Sequence, residues 1–120
     1  MFKLILLLFV LTFSLFAANT LTCTVVNDDE ILKIKCKYNT VSKDYDRNIS
    51  ISWTSPTTHH DDRMKTLLLP AYNKSVYDYR YFDGRAEGSW TITVTDEETN
   101  SQTSTEFIKE DLKEAITPTP

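Results

Sequence analysis

The stretch that organises the chain is DGRAEGSWTITVTD, residues 83–96, in which a turn runs directly into an alternating pattern. Gly84 and Gly88 are the only two glycines of the sequence, and both lie in this turn, where a residue free to take positive φ is most useful. From position 90 a tryptophan, an isoleucine and a valine alternate with threonines. This alternation predicts a strand that is buried on one face only.

Residues 1–17 differ from the rest of the chain. A single basic residue, Lys3, precedes an apolar run, and small residues follow it, which is typical of a secretory signal peptide; an uncleaved anchor or a buried helix is the alternative. The remaining length and a hydrophobic content of 41% suit one domain with a buried core. We therefore expect a signal peptide over 1–17, a single β-sandwich domain over 18–116 and a disordered tail over 117–120.

The charge of the mature chain limits its partners. Removal of Lys3 leaves 12 of the 13 basic residues against 17 acidic ones, so the net charge changes from −4 to −5. An acidic chain is not expected to bind nucleic acid, nor to insert into a membrane once the signal is cleaved. We expect it to be secreted or periplasmic.

Asn48 and Asn73 occupy N-glycosylation triplets, which matter only in a eukaryotic secretory pathway.

Residues 21–38 predict a β-hairpin whose turn is the polar run 27–30. If Cys23 faces Cys36, the apolar positions of both arms fall on one face, so the register that joins the cysteines also builds a core. Two cysteines in an exported chain then predict a disulfide, which stabilises by about 3 kcal/mol through loop closure. A redox-active or metal-binding pair is the alternative, and the twelve-residue gap fits neither.

Further strands are predicted over 49–54, where Trp53 is expected in the core, and over 64–69 and 102–108. Six or seven short strands separated by polar turns predict an all-β fold. We expect a two-sheet antiparallel β-sandwich, jelly-roll or immunoglobulin-like, with a short C-terminal helix over 110–116.

Tyr77, Tyr79 and Tyr81 alternate with Asp78 and Arg80 and are the strongest aromatic stripe of the sequence. Exposed tyrosines would form a binding surface, because tyrosine provides a large contact area at low entropic cost. Alternatively they form a cross-strand packing face, which we favour. The sequence does not show which face of this strand is wet.

His59, His60, Asp61 and Asp62 are the only cluster that resembles a set of metal ligands, suited to zinc or, through the carboxylates, to calcium. Adjacent residues of an extended loop point in different directions, so a solvated loop is the preferred interpretation. We expect no cofactor.

Residues 49–96 resemble the P-domain, the jelly-roll β-sandwich that accompanies subtilisin-like proprotein convertases. Three segments carry the resemblance: WTSP at 53–56, LLLP at 67–70 and GSWTITVTD at 88–96. The chain also resembles immunoglobulin-like domains, with Cys36 and Trp53 in place of the strand B cysteine and strand C tryptophan, although the strand F cysteine is absent. Both resemblances imply a non-enzymatic sandwich.

The leading hypothesis is an exported, non-enzymatic module that binds a protein or glycan, or is accessory to another secreted protein, through its loops or the three tyrosines. One alternative is a metal-dependent protein or enzyme that uses the cluster at 59–62. Another is a structural component of an envelope or extracellular assembly, in which residues 91–95 would offer an edge strand to a neighbour.

Overall fold

The computed structural model of the protein describes residues 19–114, in which seven strands form two antiparallel sheets packed face to face. The signal peptide predicted over 1–17 and the tail predicted over 117–120 lie outside these residues. The predicted two-sheet β-sandwich is confirmed, and so is the short C-terminal helix, which begins at Lys109.

The first sheet has three strands and the second has four. The first sheet runs in the order β1-β2-β5, with β1 (Thr20–Asp28), β2 (Ile31–Asn39) and β5 (Ser75–Tyr81). The second runs in the order β4-β3-β6-β7, with β3 (Arg47–Thr54), β4 (Arg63–Leu69), β6 (Ser89–Asp96) and β7 (Gln102–Ile108). Helix α1 (Lys109–Glu114) follows β7 directly.

The hairpin of β1 and β2 has the predicted register. Cys23 lies opposite Cys36 and forms the predicted disulfide with it, with the two Cα atoms 4.0 Å apart. The two loop residues, Asp29 and Glu30, have φ values of 53° and 69°. Positive φ at both central positions matches the right-handed twist of the strands, as in type I′ hairpin turns. The turn and the cysteines therefore specify the same register.

The core lies around two tryptophans from neighbouring strands. The rings of Trp53 on β3 and Trp90 on β6 meet edge to face, with centroids 6.5 Å apart, and Phe107 of β7 stacks on Trp90 at 6.3 Å. Both tryptophans are almost fully buried, which confirms Trp53 as a core residue. Ile34 and Cys36 of β2 cover them from the opposite sheet. Large rings contacting at these distances are the main apolar contribution to stability.

Strand β6 lies inside its sheet. It pairs with β3 on one side and with β7 on the other. The expectation that residues 91–95 form an edge strand is therefore wrong. The alternation of apolar and threonine residues showed that one face is wet, but a strand's wet face gives no information about its neighbours in the sheet.

The two glycines of the turn before β6 are in different surroundings. Gly88 has a φ of +115°, and a Cβ placed on it would lie 3.2 Å from Cγ of Pro56, whereas Gly84 has a φ of +88° and open space around it.

We expect Gly88→Ala to lower the free energy of unfolding by about 3 kcal/mol, because backbone strain and a steric contact add together. Gly84→Ala, with strain alone, should cost about 1–2 kcal/mol. Urea denaturation of both variants measures the difference, and equal losses would contradict this account.

Candidate functional site

Strand β5 turns its tyrosines to solvent and its charges inward. Tyr77, Tyr79 and Tyr81 are 52%, 42% and 54% exposed, whereas Asp78 and Arg80 between them are 3% and 8% exposed. The structure thus answers the question that the sequence left open, since the aromatic face is the wet one. Tyr79 and Tyr81 also contact each other edge to face, with ring centroids 6.5 Å apart.

A row of lysines on β2 accompanies the row of tyrosines. Lys33, Lys35 and Lys37 lie opposite Tyr81, Tyr79 and Tyr77 on the outer side of the three-stranded sheet. We call these six residues the lysine–tyrosine face. All three tyrosines are exposed, and Tyr77 and Tyr79 also contact lysines on the solvent side, so this face has features of both alternatives.

The contacts within this face are diagonal. The Lys33 ammonium lies 4.5 Å from the ring centroid of Tyr79, and the Lys35 ammonium lies 4.2 Å from that of Tyr77. At these distances a cation is attracted to the face of an aromatic ring. A hydrogen bond from Lys33 to Asp28, 2.9 Å long, raises the pKa of that lysine. The contacts hold the rings and ammonium groups in fixed positions on an open surface.

A shallow groove runs along this face. Its volume is about 270 Å³, and it is lined by Val26, Asp28, Lys33, Lys35, Tyr77 and Tyr79. Apolar ring surface and ammonium groups alternate along the groove, so it can contact a ligand that has both apolar patches and negative charge.

Asp78 accepts hydrogen bonds on the inner side of β5. The indole nitrogen Nε1 of Trp53 donates to its Oδ2 at 2.9 Å, and the guanidinium of Arg63 donates to its Oδ1 at 3.0 Å. The ammonium of Lys65 lies 3.9 Å from the same carboxylate. A buried carboxylate requires such partners, because an unpaired charge in the core is strongly destabilising.

Arg80 lies beside Asp78, between the tryptophan pair and the loop before β4. Its guanidinium carbon is 5.7 Å from the rings of both Trp53 and Trp90. Its two terminal nitrogens donate to Asp61, to the backbone oxygen at 2.6 Å and to Oδ1 at 3.2 Å. Burial, with the nearby charge of Arg85, lowers the pKa of Arg80, although arginine stays protonated in proteins.

The predicted metal-ligand cluster is divided by this arrangement. His59, His60 and Asp61 form one 3₁₀ turn, capped by the Thr58 side chain. Asp61 points inward, where it also accepts a hydrogen bond from the backbone of Ala86 at 2.8 Å. Asp61 therefore binds protein groups.

His59 and Asp62 are brought together at the surface. Nδ1 of His59 lies 3.1 Å from Oδ2 of Asp62, and the backbone nitrogen of Ser55 donates to Oδ1 of Asp62 at 2.6 Å. The bond from Ser55, followed by that of His59, lowers the pKa of the Asp62 carboxyl. Within residues 19–114 no three histidine, cysteine or acidic side chains are grouped so that they could hold a metal ion.

A cavity opens between β4 and β5 beside this cluster. Its volume is about 230 Å³, and it is lined by Arg63, Lys65, Asp78, Tyr79, Arg80, Tyr81 and Arg85. We call it the basic pocket. Sequence reasoning missed it, because its charges come from three segments that only the packing of the sheets brings together. The one available signal was the alternation of Asp78 and Arg80 with the tyrosines, which requires one of the two sets to face inward.

The chain matches no protein-family model, no curated protein and no solved structure. No helix within residues 19–114 is long and apolar enough to span a membrane.

The buried carboxylate of Asp78 can be tested for its role in stability. We expect Asp78→Ala to lower the free energy of unfolding by about 3 kcal/mol, because it leaves the Trp53 indole and a nearby guanidinium without an acceptor in the core. Asp78→Asn should cost less, since the amide oxygen can still accept from the indole. Urea denaturation measures both. An Ala variant as stable as the parent chain, or an Asn variant less stable than the Ala variant, would contradict this role.

Proposed function

We propose that the protein is an exported, non-enzymatic binding module that recognises an acidic glycan through the lysine–tyrosine face. The observation that carries the proposal is the placement of three exposed tyrosine rings against three lysines on one open sheet face. The alternatives at residues 59–62 and 91–95 have no comparable support, since Asp61 is bonded inward and β6 has neighbours on both sides.

The chemistry of the face suits a charged sugar polymer. Exposed aromatic rings contact the C–H faces of pyranose rings, and they lose little side-chain entropy on binding. The ammonium groups between them pair with carboxylate or sulfate groups. Because the chain as a whole is acidic, a local row of lysines supports recognition of a specific anionic partner over general attraction of anions.

The edges of the sandwich argue against an extended peptide as the partner. β4 and β5 are the edge strands on the same side of the molecule, and each carries charges that face inward: Arg63 and Lys65 on β4, Asp78 and Arg80 on β5. Inward-pointing charges on edge strands disfavour the addition of a further strand. Peptide recognition by strand addition, a common mode for sandwiches, is therefore disfavoured at the β4 and β5 edges.

Export is supported by the disulfide between Cys23 and Cys36, since disulfides persist in oxidising compartments.

We also propose that the sandwich is immunoglobulin-like. If β1 to β7 are lettered A to G, the two sheets are ABE and DCFG. Constant-type immunoglobulin domains have sheets ABED and CFG. The only difference is that strand D, here β4, pairs with strand C and not with strand E. Cys36 and Trp53 are buried on the second and third strands, as in that pattern, although Cys36 bonds to Cys23 of the neighbouring strand and not to a cysteine of the sixth strand.

The glycan proposal is tested by replacing the tyrosines. We expect the triple variant Tyr77→Ser, Tyr79→Ser, Tyr81→Ser to bind chondroitin sulfate at least about tenfold more weakly than the parent chain, because the aromatic contact area is lost. Tyr72→Ser is the matched control, since Tyr72 is 76% exposed but lies outside the face. Surface plasmon resonance against chondroitin sulfate and neutral dextran gives the affinities, and circular dichroism confirms folding.

Two results would overturn this proposal. One is equal binding of chondroitin sulfate by the triple variant and the parent chain, with the fold intact. The other is equal binding of dextran and chondroitin sulfate by the parent chain, since the lysines should make the interaction depend on charge and weaken it as salt is raised.

Export is tested by the intact mass of the protein made in its own secretory pathway. We expect a mature N-terminus near Ala18 and a mass lower by one pair of hydrogen atoms than that of the reduced chain, because the disulfide has formed. A chain that retains residues 1–17, or that has two free thiols, would contradict the export proposal.

A further inference from the structure

The basic pocket contains more positive than negative charge. Four cationic side chains line it, from Arg63, Lys65, Arg80 and Arg85, and two carboxylates compensate them, Asp78 and Asp61. Arg63 and Lys65 share Asp78, and Arg80 and Arg85 share Asp61. Because each carboxylate is shared by two cationic side chains, the group has a net charge of +2. The cavity beside it has room for a ligand.

Two guanidinium groups also have unused donors. Nε of Arg80 and Nε of Arg85 are buried and have no hydrogen-bond acceptor within residues 19–114. Nε of Arg85 lies 3.2 Å from Oδ1 of Asp61, but the N–H is not aligned to donate. Nε of Arg47, which lies outside this pocket, is buried without an acceptor as well, so these atoms do not distinguish the pocket from the rest of the core. The excess of cationic side chains is the feature that favours an oxyanion in this cavity.

The pocket is continuous with the lysine–tyrosine face. Asp78 and Arg80 point to the inner side of β5 and Tyr79 and Tyr81 to the outer side, yet all four line the pocket. The cavity therefore reaches the edge of β5, where residues from both faces of the strand meet. Tyr79 belongs both to this pocket and to the groove of the face. A ligand lying on the tyrosines can thus extend a charged group over the edge and toward the arginines.

We propose that the basic pocket is a subsite for one acidic sugar unit, whose carboxylate or sulfate group pairs with Lys65 and the arginines while its ring lies against Tyr79 and Tyr81. The inference rests on the proposed function and specifies where the negative group of the glycan binds. The volume of about 230 Å³ corresponds to about eight water molecules at ~30 Å³ each, which is the scale of a single sugar ring.

Lys65 is the residue with which to test the subsite. Its side chain is 50% exposed and lies 3.9 Å from Asp78, so it contributes less to the buried network than Arg63, which bonds the same carboxylate at 3.0 Å. Lys65→Met keeps most of the length of the side chain and removes the charge. The matched control is Lys74→Met, because Lys74 is exposed in the turn before β5 and lies outside the pocket.

The probe is free glucuronate, with glucose as its neutral counterpart, titrated into the isotope-labelled protein and followed by NMR. We expect glucuronate to produce saturable shifts at the backbone of residues 78–81 and at the Nε–H signals of Arg80 and Arg85, and glucose to produce none. Lys65→Met should weaken glucuronate binding by about tenfold, the loss expected for one charged contact, and Lys74→Met should leave it unchanged.

Three results would overturn the inference: glucuronate shifts that are absent or spread over the surface, equal responses to glucose, or unchanged binding by Lys65→Met. A poly-glutamate peptide that binds the pocket more tightly than an acidic oligosaccharide of equal charge would assign it to a protein partner instead. If chondroitin sulfate binds through the tyrosines but glucuronate does not enter the pocket, the subsite alone fails. If glucuronate binds in the pocket but the tyrosine variant keeps its polymer affinity, the proposed function alone fails.

Discussion

The hydrogen bond from the Trp53 indole to the Asp78 carboxylate is the contact on which the rest of this side of the sandwich depends. It joins the two sheets through a buried polar pair, together with the ion pairs from Arg63 and Lys65 to the same carboxylate. A carboxylate that accepts from a core tryptophan can face only inward, so the neighbouring residues of β5 must face outward. The orientation of the tyrosines is thus a consequence of one acceptor in the core. A slip of β5 by one residue would bury three phenols and expose both charges.

The sequence was sufficient for the fold class, the hairpin register and the core tryptophans, because each leaves a local signal. Paired cysteines and two short apolar arms define a register, and alternation around Trp53 and Trp90 defines a buried face. The neighbours of β6 could not be predicted this way, since sheet order depends on packing between segments distant in the chain. Local alternation contains no information on that order.

The candidate site was only half predictable for the same reason. The tyrosine stripe is visible in the sequence, but its exposure is decided by Trp53 and Arg63, the partners of Asp78, neither of which adjoins it in sequence. The cluster at residues 59–62 illustrates why residue types alone do not define a site. It contains the residue types of a metal site, yet Asp61 is turned toward Arg80 and only His59 and Asp62 meet. The residue types of a cluster determine which ligands it could bind. The directions of the side chains in the fold determine which of those ligands it can bind.

The order in which the chain pairs also has a kinetic consequence. β1 with β2, β3 with β4 and β6 with β7 are pairings between successive strands, whereas β5 joins β2 only after the whole β3–β4 segment has intervened. Pairings distant in sequence are slow, because loop-closure entropy is lost before contacts form. We therefore expect the lysines to be in place on an early hairpin and the tyrosines to join them later, as β6 joins β3 over an equally long stretch of chain. A ligand that needs both rows would then bind native molecules in preference to partly folded ones.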